Sequence, residues 1–118
     1  MFAGRVDVAT SAPETTFLTV PGIAHVSTLE CTSGGSPVAN VVLFNDGSAS
    51  SDVWYEGDSE FTTNWSDVSS APTATGGATF HIGTGTGSGA QVITVTVNWE
   101  DGGSDCIFQG TAEIATAS

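Results

Sequence analysis

At 118 residues the chain has the length of one domain, 1–118, which buries roughly two-thirds of the surface its unfolded form exposes, so a real core fits within it. Thirteen acids face a single base, Arg5, and the formal charge of −12 repels nucleic acid and anionic lipid rather than gathering them. Charged residues are only 12% of the chain, so the imbalance comes from missing bases and leaves a soluble, non-sticky exterior.

Thr, Val, Ser and Gly dominate, and no segment keeps apolar residues at a helical period beyond two turns. Alternation predicts strands instead, at Arg5–Thr10, Thr15–Val20, Ala24–Cys31, Val38–Asn45, Asp52–Glu56, Glu60–Trp65, Ala78–Ile82, Gln91–Trp99 and Cys106–Ile114. Pro21-Gly22, Asn45-Asp46-Gly47, Glu56-Gly57-Asp58 and Asp101-Gly102-Gly103 stand where the chain must reverse. Eight or nine short strands with no helix between them define an all-β, antiparallel β-sandwich, Ig-like or jelly-roll-like. The Ser/Ala/Pro/Thr/Gly-rich stretch 66–77, and 83–89 after it, read as long surface connections.

Period two also assigns faces. Ile93, Val95, Val97 and Trp99 share an inner face, continued after the turn by Cys106, Phe108, Gly110, Ala112 and Ile114. Val41 to Phe44 is apolar on both faces and suits a central strand. Phe61, Thr63 and Trp65 alternate onto one face, and Trp65 and Trp99 are assigned to the core. Asp52, Trp54 and Glu56 share a wetter face, opposite Val53 and Tyr55.

Both Cys31 and Cys106 point inward by alternation. A bridge between them would close a loop of about 75 residues and stabilise the fold by roughly 4 kcal/mol; the alternative is two buried, unpaired thiols in a reducing compartment. Two cysteines far apart in a Ser/Thr/Gly-rich chain suit an oxidising compartment, a secreted or cell-surface one. No window approaches the roughly 20 apolar residues of a membrane span, so membrane insertion is not expected, and no basic-then-apolar leader precedes the strands. Either a leader has been removed and Met1 is not native, or the protein assembles inside a cell and starts there; the cysteines favour the first.

The combination of "TTFLTVPGIAHV" (Thr15–Val26), a Cys shortly after it, an Asn/Asp-Gly-rich middle with a Trp-bearing strand, and a closing "CIFQGTAEI" (Cys106–Ile114) resembles uncharacterised secreted all-β proteins of actinobacteria. The resemblance implies export, a β-sandwich and paired cysteines, and no activity.

Three stretches invite chemistry. The acidic turns, with Glu100, Asp101 and Asp105 foremost, supply the hard oxygens and flexible backbone that Ca²⁺ takes, though none has EF-hand spacing; the plainer account is solvated hairpin turns. Trp54, with Tyr55 beside it and Asp52 and Glu56 flanking, has the composition of a sugar platform, the indole taking an apolar ring face and the carboxylates its hydroxyls. The plainer account has Trp54 covered by a loop or a neighbouring subunit. Gly85, Gly87 and Ala90 fit a loose dinucleotide fingerprint, but a strand follows where a helix N-terminus is required, so the stretch reads as a flexible loop. His25 and His81 have no nucleophilic elbow near them, and no cofactor or catalytic activity is expected.

The sequence therefore supports a non-catalytic secreted or surface-displayed structural module that contacts copies of itself or another protein. The alternatives are a carbohydrate-binding module built on Trp54, with or without calcium, and a virion or capsid-decoration protein that would start natively at Met1.

Overall fold

The computed structural model describes residues 1–47, 51–57 and 60–118; Ser48, Asp58 and Ser59 of the acidic turns lie outside the described residues. The strands are β1 (Phe2–Ala9), β2 (Thr16–Val20), β3 (Ala24–Cys31), β4 (Ala39–Asn45), β5 (Asp52–Tyr55), β6 (Thr62–Thr63), β7 (Asp67–Ser69), β8 (Thr75–Thr84), β9 (Gln91–Asp101) and β10 (Asp105–Thr116). They form two antiparallel sheets, a six-stranded one in the order β1-β10-β9-β8-β5-β6 and a four-stranded one in the order β2-β3-β4-β7. The chain is an all-β sandwich.

Hydrophobic burial between the sheets selects this arrangement. Ile93, Val95, Val97 and Trp99 of β9 turn inward together with Phe108 and Ala112 of β10 and Phe80 and Ile82 of β8, meeting Val26, Val41 and Leu43 from the smaller sheet. At about 25 cal/mol per Å² removed from water, Phe80 and Phe108, both fully buried, each contribute on the order of 2–3 kcal/mol. Trp65 and Trp99 are buried as expected, and each indole N–H finds an acceptor: Trp65 Nε1 donates to Ser51 Oγ at 2.9 Å and Trp99 Nε1 to the Thr73 carbonyl at 3.1 Å. Val41 and Val42, on opposite faces of central strand β4, are both buried.

Cys31 and Cys106 form a disulfide, with Cα atoms 6.0 Å apart, that ties β3 of one sheet to β10 of the other. Both sulfurs are shielded, a placement suited to an oxidising environment.

Four expectations are corrected. The stretch 66–77 is not simply a surface connection: it contains β7 and the start of β8. Neither has strong strand propensity, but β7 completes the edge of β4 and Gly76 lies under the Trp99 ring, so tertiary context recruits both. The strand predicted over Glu60–Trp65 shrinks to two residues because Asn64 takes a left-handed φ of 51°; that reversal breaks the alternation, sending Trp65 inward and leaving Phe61 outside. Ile114 was placed inside, yet β1 ends opposite Ala112 and leaves it exposed. The chain 83–89 is not all loop, since β8 continues to Thr84.

Candidate functional site

The outer face of the larger sheet gathers the groups of interest. Val53 is fully buried, so its neighbours Asp52 and Trp54 leave β5 on the outer side. In register, Asp52 lies opposite Gly83 and Trp54 opposite His81 on β8; across β9, Gly83 meets Val92 and His81 meets Thr94. Phe61 reaches over from the chain entering β6 and sets its ring edge to Trp54, with centroids 5.0 Å apart and planes at 68°, the edge-to-face geometry that aromatic quadrupoles favour.

These side chains bound a groove of about 650 Å³, within the range of small-ligand sites. Trp54 and Phe61 form one wall, with Val92 across from them; Asp52 and His81 supply polar groups, and Gly83 with Gly85 lies along the floor. Phe61 is 60% exposed and Val92 48%, an apolar lining left in water. Gly83 keeps the groove open: a Cβ there would meet nothing within 4 Å, so any side chain would project into the empty space. A glycine inside a strand is a cost, in entropy and in lost side-chain packing.

Two polar side chains lie near the histidine. His81 Nε2 lies 3.9 Å from Glu56 Oε1, and His81 Nδ1 is 3.5 Å from Thr94 Oγ1. The groove thus carries a carboxylate acceptor at Asp52 and an imidazole beside two aromatic rings, with the Glu56 carboxylate outside the lining but near His81. His25 stands on the other sheet, stacked on Phe44 and bonded through Nδ1 to Asp46 at 2.7 Å, and shares no site with His81.

Tyr55 does not join Trp54. It stacks on Phe80 at 5.1 Å on the inner side, and its hydroxyl accepts a hydrogen bond from the Ala71 N–H, so alternation removes it from the groove. Glu100, Asp101 and Asp105 are likewise separated. Glu100 stays on the outer face and Asp101 turns inward, because it ends the inner row of β9. Its Oδ1 accepts from Gly103 N at 2.8 Å, closing the hairpin turn. Asp105 instead faces Asp7, and their shared hydrogen bond, with partial desolvation and mutual repulsion, holds the Asp7 carboxyl above its ordinary range; Arg5 opposes that shift weakly. Among the described residues, the only three metal-type side chains that converge are Asp101 and the two bridged cysteines.

Sequence reasoning found Asp52, Trp54 and Glu56 but missed Phe61, His81, Val92 and the glycine floor. The signal available was Gly83, a strand-interior glycine next to a loop set aside as merely flexible; Gly85 of that loop lines the groove. Comparison of the chain with protein-family models, curated proteins and solved structures finds no significant match. Fold and bridge define its class as a disulfide-stapled antiparallel β-sandwich.

Proposed function

We propose that the protein is a non-catalytic carbohydrate-binding module that seats a neutral sugar ring in the groove between Trp54, Phe61 and Val92. The observation that carries this is Gly83, which keeps an aromatic-walled groove empty. Rings with equatorial hydroxyls present an apolar face to the indole, while the hydroxyls at their rim donate to Asp52 and Glu56. The net charge of −12 favours uncharged ligands over polyanions. The buried bridge supports a secreted or surface-displayed location.

Self-association through open strand edges has less to support it among the described residues. The edges β6 and β7 are two and three residues long, and β2 carries a register shift.

The test is binding of wild type and two variants to an array of neutral glycans. Trp54→Ala removes the platform, and Gly83→Val fills the groove with a residue suited to strands, at a position where the added Cβ meets nothing within 4 Å. Both variants are expected to lose binding while Gly83→Val keeps or raises the melting temperature. Retention of full binding by the folded Gly83→Val protein, or no neutral glycan held by wild type, overturns the proposal.

A further inference from the structure

The same face carries a second groove, of about 470 Å³, where β1, β10 and β9 run side by side. Its rims are two rows of side chains set by the register: Ala3, Thr111 and Thr96 in one row, Arg5, Gln109 and Asn98 in the next. Arg5 Nε donates to Gln109 Oε1 at 3.3 Å, fixing the long side chains side by side. The groove therefore offers guanidinium and amide donors, amide carbonyls and two hydroxyls, a mixed set suited to hydroxyl groups, which both donate and accept. Gly110 lies between the two rows, but its Cβ direction is the inner one, toward Val97, so the groove's own side chains are those of Thr111 and Gln109 on either side of it.

The ground between the two grooves is low. From Trp54 the outer face passes His81 and Thr94, then Thr79 and Thr96, and Gly77 lies opposite Asn98 with no side chain at all. Beyond the His81 imidazole, no aromatic or long aliphatic residue stands on that path. Trp54 and Gln109 are three strands and two side-chain rows apart, roughly 20 Å at about 4.8 Å per strand and about 3.4 Å per residue, a span longer than one sugar ring.

We infer that the ligand is an extended, uncharged polysaccharide chain lying diagonally across the larger sheet, with an aromatic subsite at Trp54 and Phe61 and a second, purely hydrogen-bonding subsite at Arg5, Gln109 and Asn98. This rests on the carbohydrate reading and adds to it the length, flatness and charge of the ligand. A ribbon-like chain of β-linked pyranoses fits a flat, low face, whereas a terminal sugar would use the first groove alone. Subsites joined by one ligand add their effects, since the second contact forms within the complex already made by the first.

The test is calorimetric titration with xylo- and cello-oligosaccharides of two to six rings, and with a hexamer of galacturonic acid. Wild type is expected to bind one neutral hexamer at least tenfold more tightly than the dimer of the same sugar, and more tightly than the acidic hexamer. Asn98→Ala combined with Gln109→Ala, both at exposed or half-exposed positions, should abolish the gain with length while leaving dimer binding unchanged; Trp54→Ala should weaken dimer and hexamer alike. Dimer binding that depends on Trp54, with no gain with length or with a gain the double variant retains, overturns the second subsite and leaves the carbohydrate reading standing. Tighter binding of the acidic hexamer overturns the assignment of an uncharged chain. Failure of wild type to bind any of these chains overturns both.

Discussion

Gly4 of β1 lies against the backbone of Phe17 in β2, so closely that a methyl group at residue 4 would overlap the Phe17 carbonyl oxygen. This contact packs the inner face of the edge strand β1 directly onto β2 of the other sheet. Backbone cannot give way as a side-chain end can, so Gly4→Ala must push β1 and β2 apart. The expected cost is at the upper end of overpacking, about 3 kcal/mol, read as a lower urea midpoint. Gly35→Ala, where the added carbon meets nothing and φ is ordinary, should change the midpoint by no more than about 0.5 kcal/mol. Equal effects of the two substitutions would contradict the packing of β1 on β2.

Across the β1–β10 pair, Asp7 and Asp105 bring two carboxyls together with only Arg5 to offset them. The Asp7 pKa is raised above its ordinary value of 3.8, first by its hydrogen bond with Asp105 and then by desolvation and by the neighbouring charge. Between 3.8 and that raised value the folded chain binds more protons than the unfolded chain, so this pair's contribution to stability falls as pH rises through the window. Asp7→Asn should flatten that segment of the stability–pH curve and raise the melting temperature at neutral pH. A variant that melts lower than wild type at neutral pH, with the slope unchanged, would show that the two carboxyls do not interact.

The alternating strands were legible because one face of each is buried. Every member of the inner row of β9 is inside, and Cys106 meets Cys31 on the face alternation gave it, whereas Cys31 turns inward because a register shift between Thr28 and Glu30 breaks the period in β3 and leaves Leu29 exposed. What escaped was decided by single backbone dihedrals or by partners distant in sequence. The turn at Asn64 separates Phe61 from Trp65, although period two puts them on one face. The three residues of β7 carry no pattern of their own and form a strand only because β4 offers an unpaired edge. The candidate site was half legible: the outward face of β5 follows from alternation, but the register that brings His81, Gly83 and Val92 beside it is a property of the assembled sheet. Asp101 was misread because acids near a turn are usually solvated, whereas the inner row extends one residue further than the apolar residues do.

Phe61 and Phe108 separate function from stability. Both are phenylalanines, but Phe61 is exposed beside Trp54 and Phe108 is fully buried between the sheets. Phe108→Ala should cost about 3–5 kcal/mol in chemical denaturation, whereas Phe61→Ala should cost under about 1 kcal/mol and reduce glycan binding. If Phe61→Ala destabilises the fold as strongly as Phe108→Ala does, Phe61 is a packing residue and the aromatic wall of the groove loses its functional interpretation.

Asp101 places a carboxylate oxygen within 4.8 Å of both sulfurs of the Cys31–Cys106 bridge. The residue is only 8% exposed, and its Oδ2 has no hydrogen-bond partner among the described residues. Thiol–disulfide exchange brings a thiolate to one sulfur and leaves negative charge on the other. Two like charges about 5 Å apart repel by about 3 kcal/mol at an effective dielectric of about 20, and the transition state carries part of that charge. Asp101 should therefore slow reduction of the bridge. Asp101→Asn keeps an oxygen for the Gly103 N–H, so the hairpin turn can persist, and it should be reduced by glutathione about tenfold faster than wild type. Loosening of the fold could also speed reduction, so the rate must be compared at matched denaturation midpoint: a faster rate at unchanged stability isolates the charge, while an unchanged rate shows that the carboxylate does not shield the sulfurs. Reduction itself should lower the unfolding free energy by roughly 4 kcal/mol, the loop-closure value for a separation of 75 residues.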